Sequence, residues 1–355
     1  MKKILFIVQS PNGISPGQRF RLELYEKTLK ENNIDFDIQS FIDNSTRKIM
    51  YHEGYIFQKI FGVIKGFFRR FAGLVKIPRY DFIVVYREAS PLGPPIFEWI
   101  YTKIFRKKLI FDFDDSIWIP LVSDNNKWIR LIKCSWKIKY ICRWSYKISV
   151  GNMYLYNYAI KYNKNLVLNP TCVDTEFRHN IIQSHDTEKV CIGWTGSFST
   201  LVYLNQIVEV LQKLEKKYSF DFIIIADKNP SLPLKGFKFL KWNKETEITD
   251  LLQFNIGIMP LLDTEFERGK CGFKIIQFLA LGIPAVASPV GVNKKIIEEN
   301  KNGFLCETRE QWYIALEKLL CDKALREKMG ITGREKVEKN YSVKSNAANF
   351  LSLFE

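Results

Sequence analysis

Short apolar runs alternate along the chain with segments of helical periodicity. KILFIV (3–8), FDIQSF (36–41), DFIVVY (81–86), KLIFDF (108–113) and KISVGN (147–152) occupy the first half. VCIGWT (190–195), FDFIIIAD (220–227), FKFLKW (237–242), IGIMPL (256–261) and AVASP (285–289) occupy the second. Each has the length of a strand, and apart from FDIQSF and FKFLKW they are mostly apolar, the pattern of strands covered on both faces. Between them lie amphipathic stretches such as LVYLNQIVEVLQKLEKKY (201–218), which predict helices. Buried strands alternating with helices predict parallel sheets in an α/β protein, and this many strands divide into two sheets. The polar, turn-forming stretch Val167 to Lys189 reads as the link between them, with the second domain's first strand beginning near Val190. The expected division is residues 1–175, residues 176–340, and a C-terminal helical segment, 341–355, expected to pack back on the first domain.

RGKCGFKIIQFLALGIPAVASPVG (268–291) stands out within this pattern. Phe273 to Leu281 predicts a short helix that Gly282 terminates and Pro284 cannot continue. Its start carries Arg268, Lys270 and Lys274 and no acid. A helix N-terminus already bears about half a positive charge, so cations there are unfavourable unless an anion joins them. A phosphate would satisfy that geometry; solvated side chains pointing away are the plainer alternative.

A length of 355 residues suits two domains. The net charge of +15 favours an anionic partner and changes the picture in two places. YIFQKIFGVIKGFFRRFAGLVK (55–76) has five Lys/Arg and no acid. Helical spacing puts Gln58, Gly62, Lys65, Arg69 and Lys76 on one side, and Ile60, Phe61, Ile64, Phe67, Phe68, Phe71 and Val75 on the other. KWIRLIKCSWKIKYICRWSYK (127–147) has seven Lys/Arg, no acid, and Trp128, Trp136 and Trp144. Two such segments in one domain suit an anionic membrane surface; a core-facing apolar side with solvated charges is the alternative. No uncharged apolar run is long enough to span a bilayer, and the short apolar run Ile4–Val8 reads as a strand rather than a signal peptide. Seven scattered Cys with no CxxC pair, and three distant His, point to free thiols in a reducing, cytosolic compartment and to no Cys/His metal site.

Each domain opens with a strand followed by a small-residue loop. The first loop holds Gly13, Ser15 and Gly17, then Arg19 and Arg21; the second holds Gly193, Gly196, Ser197, Ser199 and Thr200. Neither is a dinucleotide or P-loop fingerprint. Loops of this kind present backbone N–H groups at the carboxyl edge of a parallel sheet, although Ser and Thr there also suit helix capping. FDFDDSIW places Asp112, Asp114 and Asp115 at a strand end. Three such carboxylates need cations nearby. They could serve substrate hydroxyls, act as a base, hold Mg²⁺, or form a cap and ion pairs.

With these elements in view, the chain resembles the family-4 glycosyltransferases (glycosyl transferases group 1). QFLALGIPAVASPVG and GVNKKIIEENKNGFL carry the resemblance in the second half; FDFDDSIW and GNMYLYNYA…VLNPTCVD resemble a subgroup associated with bacterial surface polysaccharides. The resemblance implies a GT-B fold: two Rossmann-like parallel-sheet domains facing across a cleft, an acceptor domain first and a nucleotide-sugar donor domain second. It implies donor binding by Gly13, Gly196, Ser197, Arg268, Lys270, Cys271, Gly272, Phe273, Lys274 and Gln277, with Asp114, Asp115 and Lys270 as the catalytic candidates. The pattern is altered in places. Gln277 stands where the family's ribose-binding Glu stands, Gly269 replaces the Glu that contacts the donor sugar, and Asp114 aligns with a cleft His. Glu265 and Glu267 are neighbouring candidates for the missing carboxylate. The loop after Trp194 lacks the usual Arg and Lys, so Arg268, Lys270 and Lys274 are expected to meet the diphosphate.

The implied activity is a metal-independent, retaining transfer of sugar from a nucleotide-diphosphate donor, with no separate cofactor. The implied acceptor is a lipid-linked or polysaccharide chain in lipopolysaccharide, capsule or exopolysaccharide synthesis. The protein would work as a peripheral protein at the inner face of the plasma membrane. Two other readings compete: a GT-B scaffold or binding protein without turnover, motivated by the altered motif, and a nucleic-acid binder, motivated by the net charge and the Trp/Lys segment. The second is not expected, so nucleic acid is excluded from the partners.

Overall fold

The computed structural model describes residues 2–50, 52, 54–120 and 132–355, so the part of the second basic segment before Ile132, Trp128 included, lies outside the described residues. The chain divides into two units, Met1–Thr171 with Asn346–Glu355, and Cys172–Ser345.

In the first unit, β1 (Lys2–Val8), β2 (Ile34–Ser40), β3 (Phe82–Tyr86), β4 (Lys108–Phe113), β5 (Lys147–Val150) and β6 (Leu166–Leu168) form one sheet in the order β2-β1-β3-β4-β5-β6. In the second, β7 (Cys191–Thr195), β8 (Asp221–Ala226), β9 (Phe237–Lys241), β10 (Ile256–Met259), β11 (Ala285–Ala287) and β12 (Gly303–Leu305) are ordered β12-β11-β10-β7-β8-β9. Every pairing in both sheets is parallel. The two-sheet α/β architecture expected from the alternation is therefore present. Strand order reverses between β1 and β3 and between β7 and β10, and ligands of such sheets bind beyond the carboxyl ends at those points.

Two strands escaped the sequence reading. Val167 and Leu168 read in sequence as the start of the link, but Leu166–Leu168 is the edge strand beside β5, and Gly303–Leu305 is the edge beside β11. At three residues each they are too short to show a period. The predicted helix 201–218 is also not continuous: a 3-10 stretch, Phe198–Gln206, leads at Ile207 into an α-helix, Val208–Glu215.

The first unit's early helices are α1 (Pro16–Arg21), α2 (Glu26–Glu31), α3 (Asn44–Met50), α4 (Ile56–Gly73) and α5 (Ile96–Trp99). Pro16 opens α1, where its missing N–H costs nothing. Residues 346–355 return to this unit: Phe350 stacks on Tyr25 at 4.0 Å between centroids, and Phe354 meets Phe82 edge-on at 5.7 Å.

The orientation of α4 departs from the usual pattern. Gly62, Gly66 and Arg70 face inward, while Phe57, Phe61 and Phe68 are 85%, 68% and 69% exposed. A Cβ on Gly62 would lie 2.3 Å from Thr46 Cγ2, and one on Gly66 2.8 Å from the Phe41 carbonyl oxygen. The helix backbone thus rests directly on its neighbours, and of the apolar side named in the sequence Phe67 packs on Phe41 at 5.3 Å while the rest is turned outward rather than into a core. Arg70 anchors it, donating to the carbonyls of Val8 (2.6 Å), Gln39 (2.8 Å) and Ala89 (2.8 Å).

Candidate functional site

The second unit's site forms beyond β7, at the reversal of strand order. Gly196 follows β7 directly and ties its N–H to the Ile225 carbonyl at 3.0 Å. A Cβ there would lie 2.6 Å from the Trp194 ring, 2.7 Å from Lys274 Nζ and 2.8 Å from Thr200 Oγ1. Glycine therefore lets the loop, an ammonium and an indole share one place. Ser197 occupies the N-cap position of the 3-10 stretch without capping it through its side chain. Asp227 does that instead, accepting from the Phe198 N–H at 2.6 Å. The Ser197 and Ser199 hydroxyls pair with each other at 2.9 Å.

The predicted helix is present as Phe273–Ala280, with Gly272 at its N-cap in the left-handed region (φ 65°) and Gly282 following it at φ 71°. A Cβ on Gly272 would also strike the Ile296 side chain at 2.3 Å. Cys271 is buried and Phe273 half-buried beside it.

The three cations are not equivalent. Arg268 ends a separate short helix, Glu265–Arg268, is exposed, and pairs with Asp263 at 2.6 Å. Lys270 lies 5.0 Å from the centroid of Phe266 and 6.0 Å from that of Tyr203. Lys274, in the helix's first turn, places Nζ 4.2 Å from the Trp194 ring centroid. The residue as a whole keeps some exposure, but its ammonium is desolvated. That burial, and secondarily the charge of Lys270, pulls its pKa down to about 7. No carboxylate among the described residues pairs with it, so the site is short of one negative charge.

Gln277 is 3% exposed, and its Nε2 finds no hydrogen-bond partner among the described residues. A buried donor left open in this way is costly. The indole N–H of Trp194 is likewise buried and open. Of the two carboxylates near the motif, Glu267 is buried and accepts from the hydroxyls of Tyr203 and Thr264, whereas Glu265 is exposed.

In the first unit the acidic cluster resolves into two ion-paired groups. Arg21, from α1, clasps Asp112 through Nε (2.7 Å) and Nη2 (2.5 Å), and Ser149 donates to the same carboxylate. Both partners are buried, and Arg21 also reaches the Asn169 carbonyl at 2.8 Å. This pair joins α1 to the sheet, so two residues from the sequence candidates, Arg21 and Asp112, are structural. Asp114 accepts from Tyr86 Oη (2.9 Å) and Arg87 Nε (2.8 Å), and Asp115 pairs with the other arm of Arg87. Burial alone would raise the Asp114 carboxyl's pKa, but Arg87, aided by Arg21 and the Tyr86 hydroxyl, holds it below its usual range. Gly17 lies against this group: a Cβ there would be 2.1 Å from Tyr86 Oη and 2.8 Å from Asp114 Oδ2. Gly13 adopts φ 80° and gives its N–H to Glu23 at 2.8 Å.

Sequence reasoning passed over Trp194, Asp227 and Arg87. Trp194 was hidden as one more apolar strand residue. Arg87 has a visible signal, a lone cation at the end of an apolar strand, and its φ of 62° marks a strained position. Among the described residues no group of three or more His, Cys, Asp or Glu is placed to hold a metal ion, and no disulfide joins any of the seven Cys.

Residues 189–322 match the family model described as Glycosyl transferases group 1. Among curated proteins, the chain is similar to the spore coat protein SA of Bacillus subtilis (strain 168), 34% identical over 82 residues, 22% of each chain. It is also similar to the N-acetyl-alpha-D-glucosaminyl L-malate synthase of Bacillus anthracis, 25% identical over 179 residues, 48% of this chain and 46% of that one. The matches thus span less than half the length of these curated relatives. Among solved structures, the Anabaena protein Alr3699/HepE in complex with UDP-glucose superposes with a TM-score of 0.70 at 12% identity, over 100% of this chain and 99% of the other.

Proposed function

We propose that this GT-B chain, whose second unit carries a glycosyl transferases group 1 domain, is a retaining glycosyltransferase that needs no metal ion. It would move a sugar from a nucleotide-diphosphate donor to a lipid-linked or polysaccharide acceptor in cell-surface glycan synthesis. The observation that carries this reading is the meeting of Gly196, Lys274 and Trp194 beyond β7, with no carboxylate beside the ammonium. A diphosphate supplies the missing charge, and the start of the helix Phe273–Ala280 adds backbone N–H groups directed at it.

The chemistry follows from that placement. As the bond from the anomeric carbon to the diphosphate oxygen breaks, its electron pair leaves with the diphosphate. Lys274 and Lys270 stabilise that charge more in the transition state than in the bound donor. The acceptor hydroxyl bonds to the same face of the anomeric carbon and gives its proton to the departing phosphate oxygen. Gln277 Nε2, buried and open, suits a ribose hydroxyl. Asp115, whose side chain keeps 23% exposure, is the better placed of the two acidic candidates to orient an acceptor hydroxyl; Asp114 positions Arg87. UDP-sugars are the first donors to try, since the Anabaena structure holds UDP-glucose. The acceptor's chemistry would place the chain at the cytoplasmic face of the plasma membrane, against its anionic surface.

The test is a melting curve against UDP, GDP, dTDP, ADP and CMP, with and without Mg²⁺. A ligand at a hundred times its Kd stabilises by about 2.7 kcal/mol. A metal-independent rise with one diphosphate is expected; no rise with any of them would sink the donor assignment. One specific observation favours a second reading, a binding protein without turnover: Gly269 stands in the place of the sugar-contacting Glu, and Glu267 is turned to Tyr203 and Thr264. Nucleotide binding without transfer to any acceptor in a broad panel would select it.

A further inference from the structure

The outward face of α4 is not explained by the fold. Phe57, Phe61, Ile64, Phe68 and Phe71, with Val75 in the 3-10 stretch Leu74–Arg79 that continues it, recur every three or four residues and are all exposed, from 45% at Ile64 to 85% at Phe57. Ile56 and Ile60, also exposed, widen the stripe beyond a narrow seam. A contiguous apolar surface of this kind marks an interaction site. It does not end with α4, because Phe67 and Phe71 pack on Phe97 of α5, whose neighbours Ile96 and Trp99 are themselves 47% and 44% exposed.

Two occupants compete, a second copy of the chain and a lipid surface. Residues 55–76 contain five Lys/Arg and no acid, so pairing two copies of this helix would set cations against cations with no carboxylate to alternate. An anionic leaflet has the opposite charge. Lys65 and Lys76 are exposed at the margin of the apolar stripe, Lys65 even while 2.8 Å from Asp43. Among the described residues no helix is long and apolar enough to cross a bilayer, so α4 would lie along the interface rather than through it. Its inward glycines fit that role: they seat the backbone on Phe41 and Thr46, and of the helix's phenylalanines Phe57, Phe61, Phe68 and Phe71 are left exposed while Phe67 packs on Phe41.

Building on the proposed membrane-borne acceptor, we infer that α4 docks the first unit on an anionic bilayer. Phe57, Phe61 and Phe68 enter the acyl boundary, and Lys65 and Lys76 meet the phosphates. The test is flotation of the full chain with vesicles of phosphatidylcholine alone or mixed equally with phosphatidylglycerol, beside the triple variant Phe57→Ser, Phe61→Ser, Phe68→Ser. These side chains are exposed, so circular dichroism and nucleotide-induced melting shifts are expected to be unchanged. The native chain should float with the anionic vesicles, and the variant should partition at least roughly tenfold less. Equal flotation of both, no flotation of the native chain, or a native dimer that the variant converts to monomer would each overturn the inference. The last outcome would assign the face to a second copy. Flotation that persists while no nucleotide shifts the melting curve would leave the docking intact and remove the glycosyltransferase reading instead.

Discussion

Lys274 holds its ammonium 4.2 Å above the ring of Trp194, in a place where burial brings its pKa down to about 7. The free protein at pH 8 therefore carries this lysine mostly neutral. A bound diphosphate favours the charged form, so binding above pH 7 takes up a proton. Affinity for the diphosphate is expected to fall as pH rises above 7, at a slope approaching tenfold per unit. Calorimetry in buffers of different ionisation enthalpy would show the uptake. A flat affinity from pH 6.5 to 8.5, or the same slope in Lys274→Met, would remove Lys274 from the site.

The double variant Lys270→Ala, Lys274→Ala should lose transfer by at least about a hundredfold in kcat, the scale of removing a preorganised stabiliser of developing charge. Full activity would sink the leaving-group assignment.

Gln277→Leu separates stability from binding. The amide is buried with an open donor, and leucine of similar size removes it. Melting temperature in the absence of ligand should hold or rise, while nucleotide affinity drops about tenfold, the worth of one hydrogen bond. A destabilised variant with unchanged affinity would show that the amide serves the core instead.

Arg21→Met and Asp112→Asn should each destabilise the first unit strongly, by about 3–5 kcal/mol for a broken buried pair. Asp115→Asn should cost less stability than either, since Arg87 keeps Asp114, and should lower transfer. Asp114 adds an acid limb. Its folded pKa lies below its unfolded value, so its contribution is present at neutral pH and is lost as pH falls through the folded value. Asp114→Asn should flatten the decline of melting temperature in acid; an unchanged decline would mean other carboxylates dominate it.

The strands with five or more apolar residues were legible because burial on both faces leaves few polar positions to confuse the pattern. The helix at Phe273 was legible from Gly282 and Pro284. What stayed hidden depended on contacts distant in sequence. Whether Asp112 was reactive or structural turned on Arg21, 91 positions away. The outward turn of α4 turned on the closeness of Gly66 to Phe41, which periodicity cannot report because it gives the spacing of a stripe and not its direction. The three cations read as one cluster in sequence, yet Arg268 ends a different helix, because Gly269 to Gly272 turn the chain between them.

The first unit is discontinuous: its last segment, Asn346–Glu355, is made after the whole of the second unit, Cys172–Ser345. A ribosome delivers the chain from its N-terminus, so the second unit has every residue it needs before the first does. Until Phe350 emerges, the Tyr25 ring lacks the partner stacked on it, and Lys2 lacks the Phe354 carbonyl it reaches at 2.8 Å. The order of completion during synthesis is therefore the reverse of the order in sequence. A released chain ending at Ser345 should resist protease over 172–345 while being cleaved faster within 2–171 than in the full chain.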